Sequence, residues 1–115
     1  ETFWLEQEER MFAIFKKLIA LGLLPVCGTD AGTGGTRFDE TWLELALMVR
    51  RVCLSARVAI RIGTAQSAAC LGLTRETGAI GEGLSADLIA LETDPITCIE
   101  ALAHPARVMA QGRLV

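Results

Sequence analysis

The sequence predicts an α/β chain in two parts, an α/β unit over residues 1–72 and a small β-rich segment over residues 73–115. Three observations predict it. Apolar residues recur at helical spacing in the first part. One short unbroken apolar run lies between two of those helical stretches. After Gly72 the apolar segments shorten and glycines punctuate them closely.

Taken in order, Trp4, Met11, Phe12, Phe15, Leu18 and Ile19 form one stripe of a helix over about 3–21, with Glu6, Glu9, Arg10, Lys16 and Lys17 on its other side. Gly22 stops it, and the aromatic stripe reads as core packing rather than a cofactor wall. The run LLPVCGTD at 23–30 reads as a buried parallel strand, and AGTGGTRFDE follows it as a Gly-rich loop. A helix resumes over about 39–51, with Trp42, Leu45, Ala46 and Val49 on one face. Ser55 can cap a helix over 56–62, and Thr64 a further one over 65–71 that ends at Gly72. Residues 86–91 and 107–111 read as strands, with Gly78, Gly81, Gly83 and Gly112 marking turns.

Composition excludes several classes. At 51% hydrophobic and 22% charged residues the chain carries enough apolar surface to fold rather than stay disordered. A net charge of −3 supplies no cationic field for nucleic acid, and the cluster Arg50, Arg51, Arg57 and Arg61 reads as a solvated helix face. The mean hydropathy of +0.40 predicts much buried surface, yet no apolar run reaches the ~18 residues of a membrane span. Cys27, Cys53, Cys70 and Cys98 form no CxxC pair; they read as free buried thiols, and a reducing cytoplasm is the expected compartment. The chain opens at Glu1 without a Met or a signal-like stretch, so a removed leader or a piece of a longer protein is expected.

The candidate site is Asp30, placed where the apolar run meets the Gly-rich loop. Ligands gather at the carboxyl ends of strands in parallel α/β folds, and a carboxylate there can bind a metal or move a proton. An aspartate that caps a turn fits the same position equally well. Gly28, Gly32, Gly34 and Gly35 do not make a phosphate loop: Lys16 and Lys17 are the only lysines, and Arg37 stands where a GxGxxG would need its last glycine. Arg37 can hold an anion, but one arginine is a weak signal. His104, before Pro105, reads as a loop residue. One carboxylate does not make a catalytic zinc centre, which takes about three protein ligands.

In order, these pieces resemble the C-terminal end of a metal-dependent amidohydrolase. The stretches that carry the resemblance are LPVCGTDAG at 24–32, FDETWLELALMV at 38–49, LSARVAIRIGTAQSAACLGL at 54–73, GAIGEGLSADLIALETDP at 78–95 and ARVMAQGRLV at 106–115. The GTDAG form and the helix after it lean towards the imidazolonepropionase-like and dipeptidase-like branch.

The resemblance implies the C-terminal portion of a (β/α)₈ TIM barrel, with Asp30 ending the eighth strand, followed by a segment of a composite β-sandwich. It also implies hydrolysis of a carbon–nitrogen bond in a small amide, cyclic amide or dipeptide. One or two divalent metal ions, commonly zinc, would be held by histidines of earlier strands and would activate water beside the scissile carbonyl. Asp30 would be metal ligand and proton shuttle, and Ala31, Gly32 and the loop to Arg37 would line the substrate mouth. Because a barrel runs to about 250 residues, most of it lies elsewhere. The isolated chain is therefore expected to be inactive and to form a homo-oligomer or associate with the missing barrel portion. The alternatives are a non-catalytic interaction module without metal, and a small-ligand binder whose anion is held by Arg37.

Overall fold

A computed structural model describes the backbone of residues 2–115 and side-chain burial from residue 5 onward. The first helix, α1 (Thr2–Ala20), ends as its sequence predicts. The Leu23 amide donates to the Leu18 carbonyl at 3.1 Å and the Gly22 amide to Ile19 at 2.9 Å, with Gly22 at φ +84°. Those bonds satisfy carbonyls that a helix end leaves free, and only glycine takes that φ without strain.

The core is small and sits lower in the chain. Leu45, Ala46 and Met48 of α2 (Thr41–Arg50) pack with Ala59 of α3 (Ala56–Arg61), with Ile62 and with Ile99. The Ser55 hydroxyl accepts from the Val58 amide at 3.3 Å, so the expected cap of α3 forms. The expected break before residue 65 does not. The chain continues through a π-helical turn (Ile62–Gln66) into α4 (Ser67–Cys70). Thr64 donates its hydroxyl back to the Ile60 carbonyl at 2.7 Å instead of capping a new helix. A Cβ on Gly63 would stand 3.0 Å from Leu45, so the missing side chain lets this turn sit against α2.

The C-terminal part carries an antiparallel sheet of β1 (Leu88–Ala90), β2 (Arg107–Ala110) and β3 (Arg113–Leu114), in that order. Leu88 faces Met109 and Ala110 faces Arg113. Gln111 and Gly112 form the two-residue turn with φ of 50° and 78°, the conformation that matches strand twist. Asp87 braces it: one carboxylate oxygen accepts the Gln111 amide at 2.8 Å and the other the Thr77 hydroxyl at 3.1 Å. The Gln111 amide, above all, holds the Asp87 carboxyl below the usual range. Between β1 and β2 a 3₁₀ turn (Ile99–Ala103), which the sequence pattern did not signal, packs Ile99 against α2. Gly78 is fixed twice over, by φ +94° and by Ala68, whose Cβ would lie 2.5 Å from an added methyl.

Four expectations are corrected. Residues 23–30 form no strand: Leu23, Leu24 and Val26 are exposed. A strand exists only by bonding to a neighbour, and among the described residues this run meets helix side chains instead. The stripe of α1 is not core, because only Phe12 is buried while Met11 and Leu18 are exposed; the Trp4 side chain lies outside the described residues. Cys53, Cys70 and Cys98 are exposed and Cys27 is half-buried; Ala68 takes the inward position on the helix of Cys70, and the other three lie in connecting segments. The arginine cluster is not uniformly solvated. Arg51 stacks 4.6 Å over the Phe12 ring and pairs with Glu8 at 2.9 Å and with Glu9, fastening α1 to the end of α2. Arg50 meets Glu100 at 2.6 Å.

Candidate functional site

Asp30 opens the Gly-rich loop at φ 50°, a left-handed conformation that aspartate and asparagine tolerate better than most residues. Its backbone makes the turn: the Asp30 carbonyl accepts the Thr33 hydroxyl at 2.7 Å and the Thr33 amide at 3.3 Å. Its carboxylate is exposed and takes one long bond, from the Thr33 hydroxyl to Oδ2 at 3.2 Å. A carboxylate has about four acceptor sites, so most of its capacity is open. Among the described residues no cation lies within ion-pair distance of it. The turn-capping role and an open carboxylate thus coexist, because the carbonyl performs the first.

The loop closes on itself. The Gly32 amide donates to the Thr36 carbonyl at 3.0 Å. A Cβ on Gly32 would stand 3.2 Å from the Phe38 ring tip. Ala31 beside it is half-buried. Arg37 is engaged by Asp39 through two bonds of 2.9 and 2.7 Å, on an exposed rim. The Asp39 bonds raise the Arg37 pKa above its ordinary value, and the same bonds hold Asp39 below the usual carboxylate range. Arg37 therefore presents a neutralised pair rather than a lone cation, which weakens its reading as an anion holder.

Two residues that the sequence pattern did not single out reach the same segment. The Glu44 carboxylate accepts the Cys27 thiol proton at 2.9 Å on one oxygen and the Gly28 amide at 3.3 Å on the other. The Ser67 hydroxyl accepts the Cys27 amide at 3.2 Å and donates to the Ile62 carbonyl at 2.7 Å across the π turn. The available signal for Glu44 was its place four residues before buried Met48, on the flank of an apolar helix face where a lone carboxylate needs a partner. A cleft of about 380 Å³ opens here between Gly28, Thr29, Gly35, Thr36 and Glu44. A larger cleft of about 590 Å³ lies between Gly63–Leu73 and Thr77–Ile89, and Asp30 lines neither of the two.

Burial, with Glu44 close by, pushes the Cys27 thiol up from 9.0 to about 12. The folded chain therefore holds this proton more tightly than the unfolded chain does. Stability from this thiol is complete below about pH 9 and is lost as pH climbs towards 12. In the folded chain at pH 8.5, iodoacetamide is expected to label Cys53, Cys70 and Cys98 well before Cys27. Mass spectrometry of the labelled peptides checks this, and equal labelling of Cys27 would refute it.

Among the described residues no group of three His, Cys, Asp or Glu side chains is placed to hold a metal ion. His104 is exposed at the end of the 3₁₀ turn, in a different element from Asp30. The exposed Asp30 carboxylate, with open acceptor sites, could serve as one ligand of a metal site but does not make one by itself. No helix among the described residues is long and apolar enough to cross a membrane.

Comparison with known proteins places this geometry in context. The model of the amidohydrolase family matches residues 8–115. An ochratoxinase from Aspergillus niger is 34% identical over 95 residues, which is 82% of this chain and 19% of that protein. The crystal structure of a Xaa-Pro dipeptidase with bound methionine in its active site superposes with a TM-score of 0.82 at 32% identity, over 90% of this chain and 25% of that one. The structure of a molinate hydrolase gives 0.79 at 25% identity, over 87% of this chain and 25% of its own. This chain thus spans about a fifth of the curated relatives it matches and about a quarter of those structures. Matched by the family model over nearly its whole length, the chain belongs to the amidohydrolase family.

Proposed function

We propose that this chain is the C-terminal quarter of a metal-dependent hydrolase that cleaves a carbon–nitrogen bond in a small amide, cyclic amide or dipeptide. The observation that carries the reading is Asp30: a carboxylate at the end of an apolar run, exposed, unpaired with any cation among the described residues and fixed by its own backbone turn. On this reading residues 23–30, which form no strand in this chain alone, would gain strand partners as the eighth strand of a (β/α)₈ TIM barrel in the parent protein, and residues 73–115 would belong to its β-sandwich. The exposed Leu23, Leu24 and Val26 then meet neighbouring strands.

A bound divalent ion, zinc for preference, supplies Lewis acidity and an activated water. Asp30 would be the ligand this chain contributes, and histidines of earlier strands in the parent protein would supply the rest. As general base, the Asp30 carboxylate takes a proton from the attacking water and gives it to the leaving nitrogen. The Thr33 hydroxyl and the turn around it hold that carboxylate in place. Ala31, Gly32 and the Arg37–Asp39 pair form the rim over which substrate enters. Exposed free thiols at Cys53, Cys70 and Cys98 suit a reducing, cytoplasmic setting.

The test uses the parent protein, translated from the sequence that includes the region upstream of Glu1. Purified, it is expected to carry one or two zinc or manganese ions per chain. It is expected to hydrolyse dipeptides or N-acyl amides and to lose that activity to a chelator. A parent protein with neither metal nor hydrolysis would sink the reading in favour of a non-catalytic interaction module.

A further inference from the structure

We propose that Glu44 is a positioning residue for Asp30, holding the segment that presents it through the Gly28 amide, with Ser67 as a second anchor one residue earlier. The inference rests on the hydrolase reading above, since a base needs positioning only if there is a reaction.

The geometry carries it. Cys27 and Gly28 are consecutive, and each amide goes to a side chain on a different helix: Cys27 to Ser67 at 3.2 Å and Gly28 to Glu44 at 3.3 Å. Both anchors are held at their far ends. Glu44 stands on α2 immediately before Leu45 and Ala46, which are core. Ser67 follows the π turn and bonds its first carbonyl at 2.7 Å. A π turn inserts a residue into a helix, which re-aims the side chains that follow; here it leaves Ser67 bridging the helix and the Cys27 amide. From Gly28 only Thr29 intervenes before Asp30. Both anchor bonds are made by side chains, so α2 and α4 fix where the apolar run ends. The placement of Asp30 then depends on those helices and not solely on strand neighbours. General-base catalysis tolerates little misplacement: about 1 Å can cost on the order of a hundredfold in rate.

The arrangement also predicts which property of Glu44 matters. The substitution Glu44→Gln keeps an oxygen for the Gly28 amide, whereas Glu44→Ala removes it. Glu44→Ala in the parent enzyme is therefore expected to lower kcat about ten- to a hundredfold while KM moves less than about threefold. Glu44→Gln is expected to recover most of kcat. Ser67→Ala, a smaller change that leaves Glu44 intact, is expected to lower kcat by less than Glu44→Ala does. Hydrogen exchange on the peptide covering residues 24–32 gives a readout apart from activity. Exchange there should quicken in Glu44→Ala and Ser67→Ala, with exchange in α1 unchanged.

An active wild type whose kcat is unaffected by Glu44→Ala and Ser67→Ala overturns the positioning role alone. So does equal loss in Glu44→Ala and Glu44→Gln accompanied by faster exchange throughout the chain, the signature of general unfolding. A wild type without hydrolase activity overturns this proposal together with the reading beneath it.

Discussion

Asp30→Asn in the parent enzyme is expected to lower turnover by roughly 10²–10⁴-fold, the usual contribution of a general acid or base, with the fold unchanged. The asymmetry between chemistry and folding follows from the site. Asparagine has the same size as aspartate and accepts the left-handed backbone that Asp30 adopts at φ 50°. The turn itself is made by the Asp30 carbonyl, which the substitution keeps, and an amide oxygen can still accept the Thr33 hydroxyl. What disappears is basicity and negative charge. An amide takes no proton from water near neutral pH and is a poor ligand for a divalent ion beside a carboxylate. Steady-state kinetics with thermal melts of both proteins decide the matter. Unchanged kcat with wild-type metal content would remove Asp30 from the reaction, whereas a collapsed melting curve would assign it to folding.

The second large effect concerns the 115-residue chain expressed by itself. It is expected to lack hydrolase activity and to self-associate, or to bind the separately expressed remainder of the parent. Its exposed area is 8483 Å² for a mass of 12.4 kDa. A folded monomer of that mass exposes roughly 6,100 Å² by the usual scaling of area with mass. The surplus of roughly 2,400 Å² exceeds what one side of an ordinary protein interface buries, about 800 Å². Its radius of gyration, 15.3 Å, likewise exceeds the ~13 Å expected of a compact domain of this length. Large apolar side chains contribute to it throughout the chain, among them Leu5, Ile14 and Leu21 on or just after α1, Leu23, Leu24 and Val26 in the run that leads to Asp30, and Phe38, Leu71 and Ile80. Exposed apolar surface in such excess is what an interface covers. Analytical ultracentrifugation and urea melts check the expectation. A monomer at micromolar concentration with a single sharp unfolding transition would refute it.

Legibility from the sequence was uneven, and the reason is the range of the interactions involved. The α1, α2 and α3 helices, the Ser55 cap and the Gly22 stop could be read because each is written in contacts a few residues apart, and β1 and β2 because short apolar runs between turn signals mark them although they pair at long range. Family membership could be read too, because the ordered motifs from GTDAG to ADL occupy most of the chain. Asp30 was legible as a candidate, since its position at the end of an apolar run requires nothing beyond local pattern. Glu44 and Ser67 were not. Each acts on a residue far along the chain, 16 positions from Gly28 and 40 from Cys27 respectively, and local periodicity carries no record of such a partner. The strand expected at 23–30 failed for a related reason: β structure is a property of a pair, and an apolar run states only that one face must be covered, not by what.

Composition and short-range pattern by themselves determined where α1, α2 and α3 coil, where α1 stops, and that a carboxylate would stand at the head of a glycine loop. Only the tertiary structure decided which faces are buried, that Arg37 is paired with Asp39, and that two helices reach across to grip the backbone before Asp30. The physical reason is that helix and turn formation depend on neighbours in sequence, whereas burial and side-chain anchoring depend on neighbours in space, which no single stretch of chain specifies.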